Sequence, residues 1–203
     1  MKVLLTGFTP FDGETINPAY EAVKLVNIPE VHLIKAEVPT EFNKSIVALQ
    51  NVIESEQPDL VISIGQAGGR AAINLERVAI NISDASIPDN AGVKPLDEII
   101  DAEGSNAYFT NLPIKLILEE LRKNQIPAVI SNTAGTYVCN HLMYGLLHLI
   151  ESKYPKMLGG FIHVPYIPLQ VINKPNMPSM NLNDIVKAIE ISIKVTLDVV
   201  QNG

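Results

Sequence analysis

Short apolar runs alternate with longer stretches of helical periodicity along this chain, and that alternation restricts its fold more than any other feature. Strands are expected at Val3–Thr6, Val31–Val38, Leu60–Ile64, Val78–Ile82, Ala128–Ser131 and Phe161–Val164, each a brief apolar run. Helical patterns fall between them. Asn17 and Pro18 mark one helix start, because an Asn side chain accepts from a free backbone N–H and Pro suits the first helical position. Others are expected near Asn43–Ser55, Pro113–Asn124, Asn140–Ser152 and Asn183–Val200. In the last, Ile185, Ile189, Ile193 and Leu197 recur every four residues along one stripe. Strands separated by helices pair in parallel and bury both faces of their sheet, so the fold class is α/β.

At 203 residues, with 47% apolar and 18% charged side chains, the chain suits one packed core, and a single domain over 1–203 is expected. No internal repeat, low-complexity tract or linker interrupts it. The net charge of −7 argues against nucleic acid or an anionic membrane surface as a partner. No stretch reaches the ~18 uninterrupted apolar residues of a membrane span. The run Met1–Gly7 lacks a signal-peptide layout and is followed by Asp12 and Glu14, so a cytoplasmic location is expected. One cysteine allows no intrachain disulfide, which fits a reducing compartment.

Ligands of open α/β folds gather beyond the carboxyl ends of the strands. That rule directs attention to Gly7–Asn17, Gly65–Arg70, Asn132–Cys139 and His163–Tyr166. The segment Ile82–Glu103 reads as a long loop, and loops beyond ~12–15 residues are commonly functional. Prolines 165, 168, 175 and 178 mark an extended surface segment.

Cys139, the lone cysteine, follows the expected strand Ala128–Ser131 and a glycine-containing turn, where a helical pattern begins. The positive end of a helix dipole favours a thiolate and hence nucleophilic chemistry. Such a nucleophile needs a base, normally histidine, and often a group orienting that base. Of the four histidines, His141 is two positions away and so points off another side of the helix. His148 lies more than two turns on, and His32 starts an early strand. His163 ends a strand just before Pro165 and is the best placed; the plainer reading is a histidine satisfied by a backbone carbonyl.

Glu76 falls in an apolar strand pattern over Leu75–Ile82, sharing a face with Val78, Ile80 and Ile82. A carboxylate there must be paired. Taken alone, the residues favour an ion pair with Arg70, or a strand-end position that is already solvated, over an orienting role. Metal-ligand spacing is lacking, and no metal or cofactor is expected. Gly65-Gln66-Ala67-Gly68-Gly69-Arg70 carries neither a Walker ending nor a dinucleotide fingerprint, so it reads as a tight turn near a small ligand.

Several stretches taken in order carry a family resemblance. They are Thr6 through Phe11, Gly65 through Arg70, Glu76 through Asn81, Ile87-Pro88-Asp89-Asn90, Ser131 through His141 and Gly160 through Tyr166. Across essentially its whole length the chain resembles the pyroglutamyl peptidase I (pyrrolidone-carboxylate peptidase) family of cysteine peptidases. The resemblance implies hydrolysis of an N-terminal pyroglutamyl residue from peptides and amides, through a thioester, by Cys139, His163 and Glu76. It implies a lactam pocket involving Phe8, Phe11, Thr40, Gln66, Ile87, Tyr137 and Val138, where aromatic walls and a few hydrogen bonds would suit a flat, uncharged ring. It further implies a three-layer α/β/α sandwich with a twisted, mostly parallel, partly mixed sheet, a cytoplasmic location and a homotetramer.

The chain departs from the family pattern at Ser86, where arginine is common, at Tyr137, where phenylalanine is common, and at Leu169, where an acidic residue is common. Ser86 removes a side-chain cation near a developing oxyanion, leaving backbone N–H groups of the Cys139 helix to serve. It also leaves open a non-catalytic pyroglutamate-binding protein. A third reading, a phosphate-dependent glycosyl transferase using the Gly65–Arg70 turn, predicts no sensitivity to thiol alkylation.

Overall fold

The computed structural model describes residues 1–202; of the domain expected over 1–203, Gly203 lies outside the described residues. Among the described residues eight strands form, β1 (Lys2–Phe8), β2 (His32–Val38), β3 (Leu60–Gln66), β4 (Ile73–Glu76), β5 (Val78–Ile80), β6 (Ala107–Phe109), β7 (Ala128–Ser131) and β8 (Leu158–Val164). The helices are α1 (Pro18–Leu25), α2 (Lys44–Glu56), α3 (Ile114–Lys123), α4 (Val138–Ser152) and α5 (Leu182–Asn202). Six strands make one sheet in the order β2-β1-β3-β8-β4-β7. All its pairs are parallel except β4 with β8, so the sheet is mixed.

Alternation along the strands sorts the core into two halves. Leu60, Ile62 and Ile64 of β3 pack with Ile162 and Val164 of β8 beneath α1, α3 and α5. Val61 and Phe161 face the other way, into a cluster with Leu49 and Ile53 of α2 and Leu142 and Leu146 of α4. The result is three layers. In α5 the predicted stripe is buried, with Ile185, Ile189 and Ile193 fully so. Each such side chain contributes about 1.5–3 kcal/mol relative to exposure. Asn17 caps α1, its side chain accepting from Ala19 N–H at 3.1 Å, and Pro18 takes the first helical position.

Two local expectations need correction. The strand predicted over Leu75–Ile82 is two strands. Arg77 N–H still donates to Ser131 of β7, but its carbonyl accepts from Thr110 N–H, and the chain then pairs with β6 in a separate antiparallel ribbon. Glu76 therefore does not share a face with Val78 and Ile80. Helix α4 also starts at Val138, earlier than the predicted Asn140, which makes Cys139 its second residue. Among the described residues no helix is long and apolar enough to cross a membrane.

Candidate active site

Strand parity brings three side chains to one face at the carboxyl edge of the sheet. His163 shares the face of Phe161 on β8, the side covered by α4, and Glu76 lies on the corresponding face of β4, opposite in parity to the inward Ile73 and Leu75. His163 is paired in register with Gly65 of β3. A Cβ placed on Gly65 would come within 2.7 Å of the Phe161 ring and 3.0 Å of Cys139 Sγ. The absent side chain is thus what admits the sulfur to the strand that flanks His163. The Phe161 ring lies 4.8 Å from the imidazole, centroid to centroid.

His163 Nδ1 and Glu76 Oε1 are 2.8 Å apart, with Glu76 fully buried. The same oxygen accepts from Arg70 Nη1 at 2.7 Å. Glu76 is thus two of the things the sequence offered as alternatives, an ion-pair partner of Arg70 and an orienting group for His163, and not a solvated strand end. Burial alone would raise its carboxyl, but the hydrogen bond and charge of His163 and the Arg70 charge outweigh it and hold Glu76 below its ordinary value. An ionised Glu76 only accepts, so Nδ1 carries the proton and Nε2 has its lone pair available.

The helix-dipole expectation for the thiol does not dominate. Burial, reinforced by the Glu76 charge and opposed by Arg70, pushes the Cys139 thiol up to about 12. Burial also pushes His163 below its ordinary value, more than Glu76 raises it, and Arg70 adds to the lowering. Both shifts favour a resting pair of thiol and neutral imidazole. The first intrahelical bond of α4 runs from His141 N–H to the Tyr137 carbonyl, so the N–H groups of Val138, Cys139 and Asn140 have no partner within the helix. Those donors, beside a nucleophilic sulfur, suit a developing oxyanion.

The other histidines are elsewhere. His141 accepts Asn43 N–H at Nε2, so Nδ1 donates to Ser83 Oγ at 2.8 Å, and burial drives its pKa down to about 4. His148 lies 2.8 Å from the Tyr108 hydroxyl, and His32 is exposed on β2.

The expected pocket residues divide. Phe8 is buried, its ring centroid 6.2 Å from that of Phe161, and so stands on the His163 side of the sheet. Phe11 lies 6.0 Å from the Tyr137 ring, which also meets Phe42 edge-on at 5.4 Å. The Tyr137 hydroxyl, held protonated by burial and the nearby Asp89 charge, donates to the Pro88 carbonyl at 3.0 Å and so ties down the loop bearing half-buried Ile87. Thr40 pins the segment after β2 to that after β1, its hydroxyl donating to the Thr9 carbonyl at 2.7 Å. Val138 is wholly buried among core residues.

Gln66 is different. Parity turns its side chain away from Cys139 onto the opposite face, where it accepts from Gln170 at 2.8 Å, so at the strand end it presents main chain. Ser86 is exposed. Arg70, needed for phosphate in the transferase reading, is engaged by Glu76.

Sequence reasoning missed two organisers. Asn140 receives Ile80 N–H and donates to the carbonyls of Ile80 and Ile82. Asp89 accepts from the N–H groups of Phe42, Ala91 and Val93. The Pro88-Asp89-Asn90 turn signal points at the second; nothing local points at the first.

Comparison with known proteins agrees along nearly the whole chain. The family model described as pyroglutamyl peptidase matches residues 1–199. The chain is 59% identical over 199 residues to the pyrrolidone-carboxylate peptidase of Thermosipho africanus, covering 97% of each. It is 59% identical over 196 residues to that of Clostridium perfringens, covering 96% of this chain and 92% of the relative. The crystal structure of Bacillus amyloliquefaciens pyroglutamyl peptidase I superposes with a TM-score of 0.93 at 50% identity, covering 97% of each chain. The Thermococcus litoralis pyrrolidone carboxyl peptidase gives 0.95 at 40% identity, covering 98% of this chain and 94% of that one.

Proposed function

This chain belongs to the pyroglutamyl peptidase family, and from that premise we propose that it hydrolyses the bond following an N-terminal pyroglutamyl residue, with Cys139 as nucleophile, His163 as acid–base and Glu76 as orienting group. The observation that carries the assignment of residues is the buried Glu76–His163 hydrogen bond beside the Gly65 gap that holds Cys139 Sγ.

The mechanism follows from the resting charges. As Sγ attacks the pyroglutamyl carbonyl carbon, His163 Nε2 takes the thiol proton, and Glu76 stabilises the imidazolium formed. The carbonyl oxygen becomes an oxyanion facing the free N–H groups of α4. The intermediate collapses, the C–N bond breaks, and the imidazolium gives its proton to the leaving amine. A thioester remains. Water then loses a proton to His163 as it attacks, and pyroglutamate leaves as the thiolate is reprotonated. Because the lactam is uncharged, a pocket walled by Phe8, Phe11 and Tyr137 takes it without desolvating an ion, whereas an ordinary glutamyl terminus brings two charges.

We further propose a single domain acting in the cytoplasm as a homotetramer. The family resemblance and the one unpaired cysteine support the location, and exposed apolar Leu96, Ile99 and Phe109 support association. The decisive assay is release of a fluorescent amine from a pyroglutamyl amide. Cys139→Ser should fold normally and lose turnover by about 10³-fold or more; retained turnover would sink the assignment.

A further inference from the structure

Arg70 carries a task that the three reacting groups do not explain. It ends the turn between β3 and β4, just after Gly69, whose φ of +85° lies where glycine is favoured. That turn folds the arginine back over the sheet edge, so that one guanidinium nitrogen reaches Glu76 Oε1 at 2.7 Å and the other the Thr133 carbonyl at 3.4 Å. Oε1 is also the oxygen that faces His163 Nδ1. One carboxylate oxygen thus serves a permanent cation and an imidazole together.

Building on the proposed role of the three residues, we propose that Arg70 is a positioning residue for the acyl transfer. It shares the Glu76 oxygen with His163 and thereby keeps the imidazole uncharged, as a base, until the thiol delivers its proton. The charged groups acting on the imidazole are Glu76 from β4 and Arg70 from the β3–β4 turn; Cys139 of α4 lies against Gly65, the strand neighbour of His163, and Phe161 and Gly65 add no charge. Burial already lowers the imidazole by more than Glu76 raises it, and the Arg70 charge adds to that lowering; without Arg70 the carboxylate draws the ring closer to the imidazolium, which cannot accept a proton. With Arg70 in place, Glu76 is already compensated, and the only new charges during attack are the imidazolium and the oxyanion. The Thr133 contact adds a second effect, since it fixes the segment that leads into the Cys139 helix.

Arg70→Met tests this. The acid limb of its kcat/KM profile should move up by about 1 pH unit, so that activity falls by up to about tenfold more at pH values below the parent's limb than at pH 9. Arg70→Lys keeps the cation and should return the limb toward the parent. An activity-independent readout is the NMR titration of the His163 ring in a Cys139→Ser background, where Arg70→Met should raise the midpoint by a similar amount. A uniform loss across pH with an unmoved midpoint would overturn the proposal and leave Arg70 purely structural. If circular dichroism shows that the Met variant does not fold, Arg70→Gln, which keeps a hydrogen bond but no charge, is read in its place. Turnover surviving Cys139→Ser would instead defeat the cysteine mechanism, and the ring titration would still judge Arg70.

Discussion

His141 and His163 are equally hidden from solvent, each 4% exposed, yet the molecule uses them in opposite ways. His141 is ringed by neutral partners. A backbone N–H donates to its lone pair and a serine hydroxyl accepts from its N–H, so both nitrogens are spent and the ring is fixed as a neutral strut between α4, the start of α2 and the segment at Ser83. His163 has a carboxylate on one nitrogen only, and the other has no hydrogen-bond partner among the described residues. Burial by itself makes histidine inert; burial beside one carboxylate leaves it able to gain and lose a proton. Nearness to Cys139 in sequence misleads, because adjacent helical positions diverge while strand and helix meet in space.

Substitution at the two rings should separate these roles most sharply. His163→Ala should lower kcat/KM by about 10²–10⁴-fold with little change in thermal midpoint, which steady-state kinetics and calorimetry on one preparation would check. His141→Ala should do the reverse, costing about 1–3 kcal/mol in urea unfolding by orphaning Asn43 N–H and the Ser83 hydroxyl, while activity per folded molecule stays within a few-fold. If both variants lost activity alike, the contrast would fail.

A smaller effect comes from acid. A histidine whose folded-state pKa lies below its unfolded value binds fewer protons when folded, so its contribution to stability is whole above the unfolded value and lost as pH falls. For His141, with a folded value of about 4, the loss runs from about pH 6.5 down to about 4 and approaches about 3 kcal/mol in full. His163 acts in the same sense, and Glu76, lowered in the fold, extends the loss further into acid. Urea midpoints measured against pH should therefore fall between 6.5 and 4, and His141→Gln should flatten that window. The smallest change expected is for Tyr137→Phe. It removes the Pro88 hydrogen bond, worth about 1 kcal/mol, and should raise KM a few-fold with kcat nearly unchanged. Because Phe42 touches both Tyr137 and His141, an unaltered His141 titration in that variant would show that the two corners act independently.

Much of this was legible in sequence where the controlling forces are local. The Asn17–Pro18 cap and the Ile185–Leu197 stripe depend on residues a few positions apart. The expected places of Cys139 and His163 follow from the rule that α/β sheets gather chemistry at one edge. Non-local pairing was not legible. Three residues of β6 carry no readable period, and without β6 nothing signals that pairing changes hands at Arg77. The side on which Gln66 projects depends on the register of β3, and the sharing of one Glu76 oxygen depends on a turn closing over a distant strand. Glu76 looked like a choice between two partners because sequence reasoning assigns partners singly, whereas one oxygen can accept twice.

Asn140 has a last consequence. It stands next to the nucleophile, and its amide holds the main chain at Ile80 and Ile82 through three bonds. The thiol and the root of the loop that carries Ile87 therefore share one mounting and travel as a rigid piece. Thr136 extends that mounting to Asp84 from both sides, so any widening of the mouth to admit a peptide has to bend the chain beyond Asp84, and loosening position 140 would disturb wall and sulfur together.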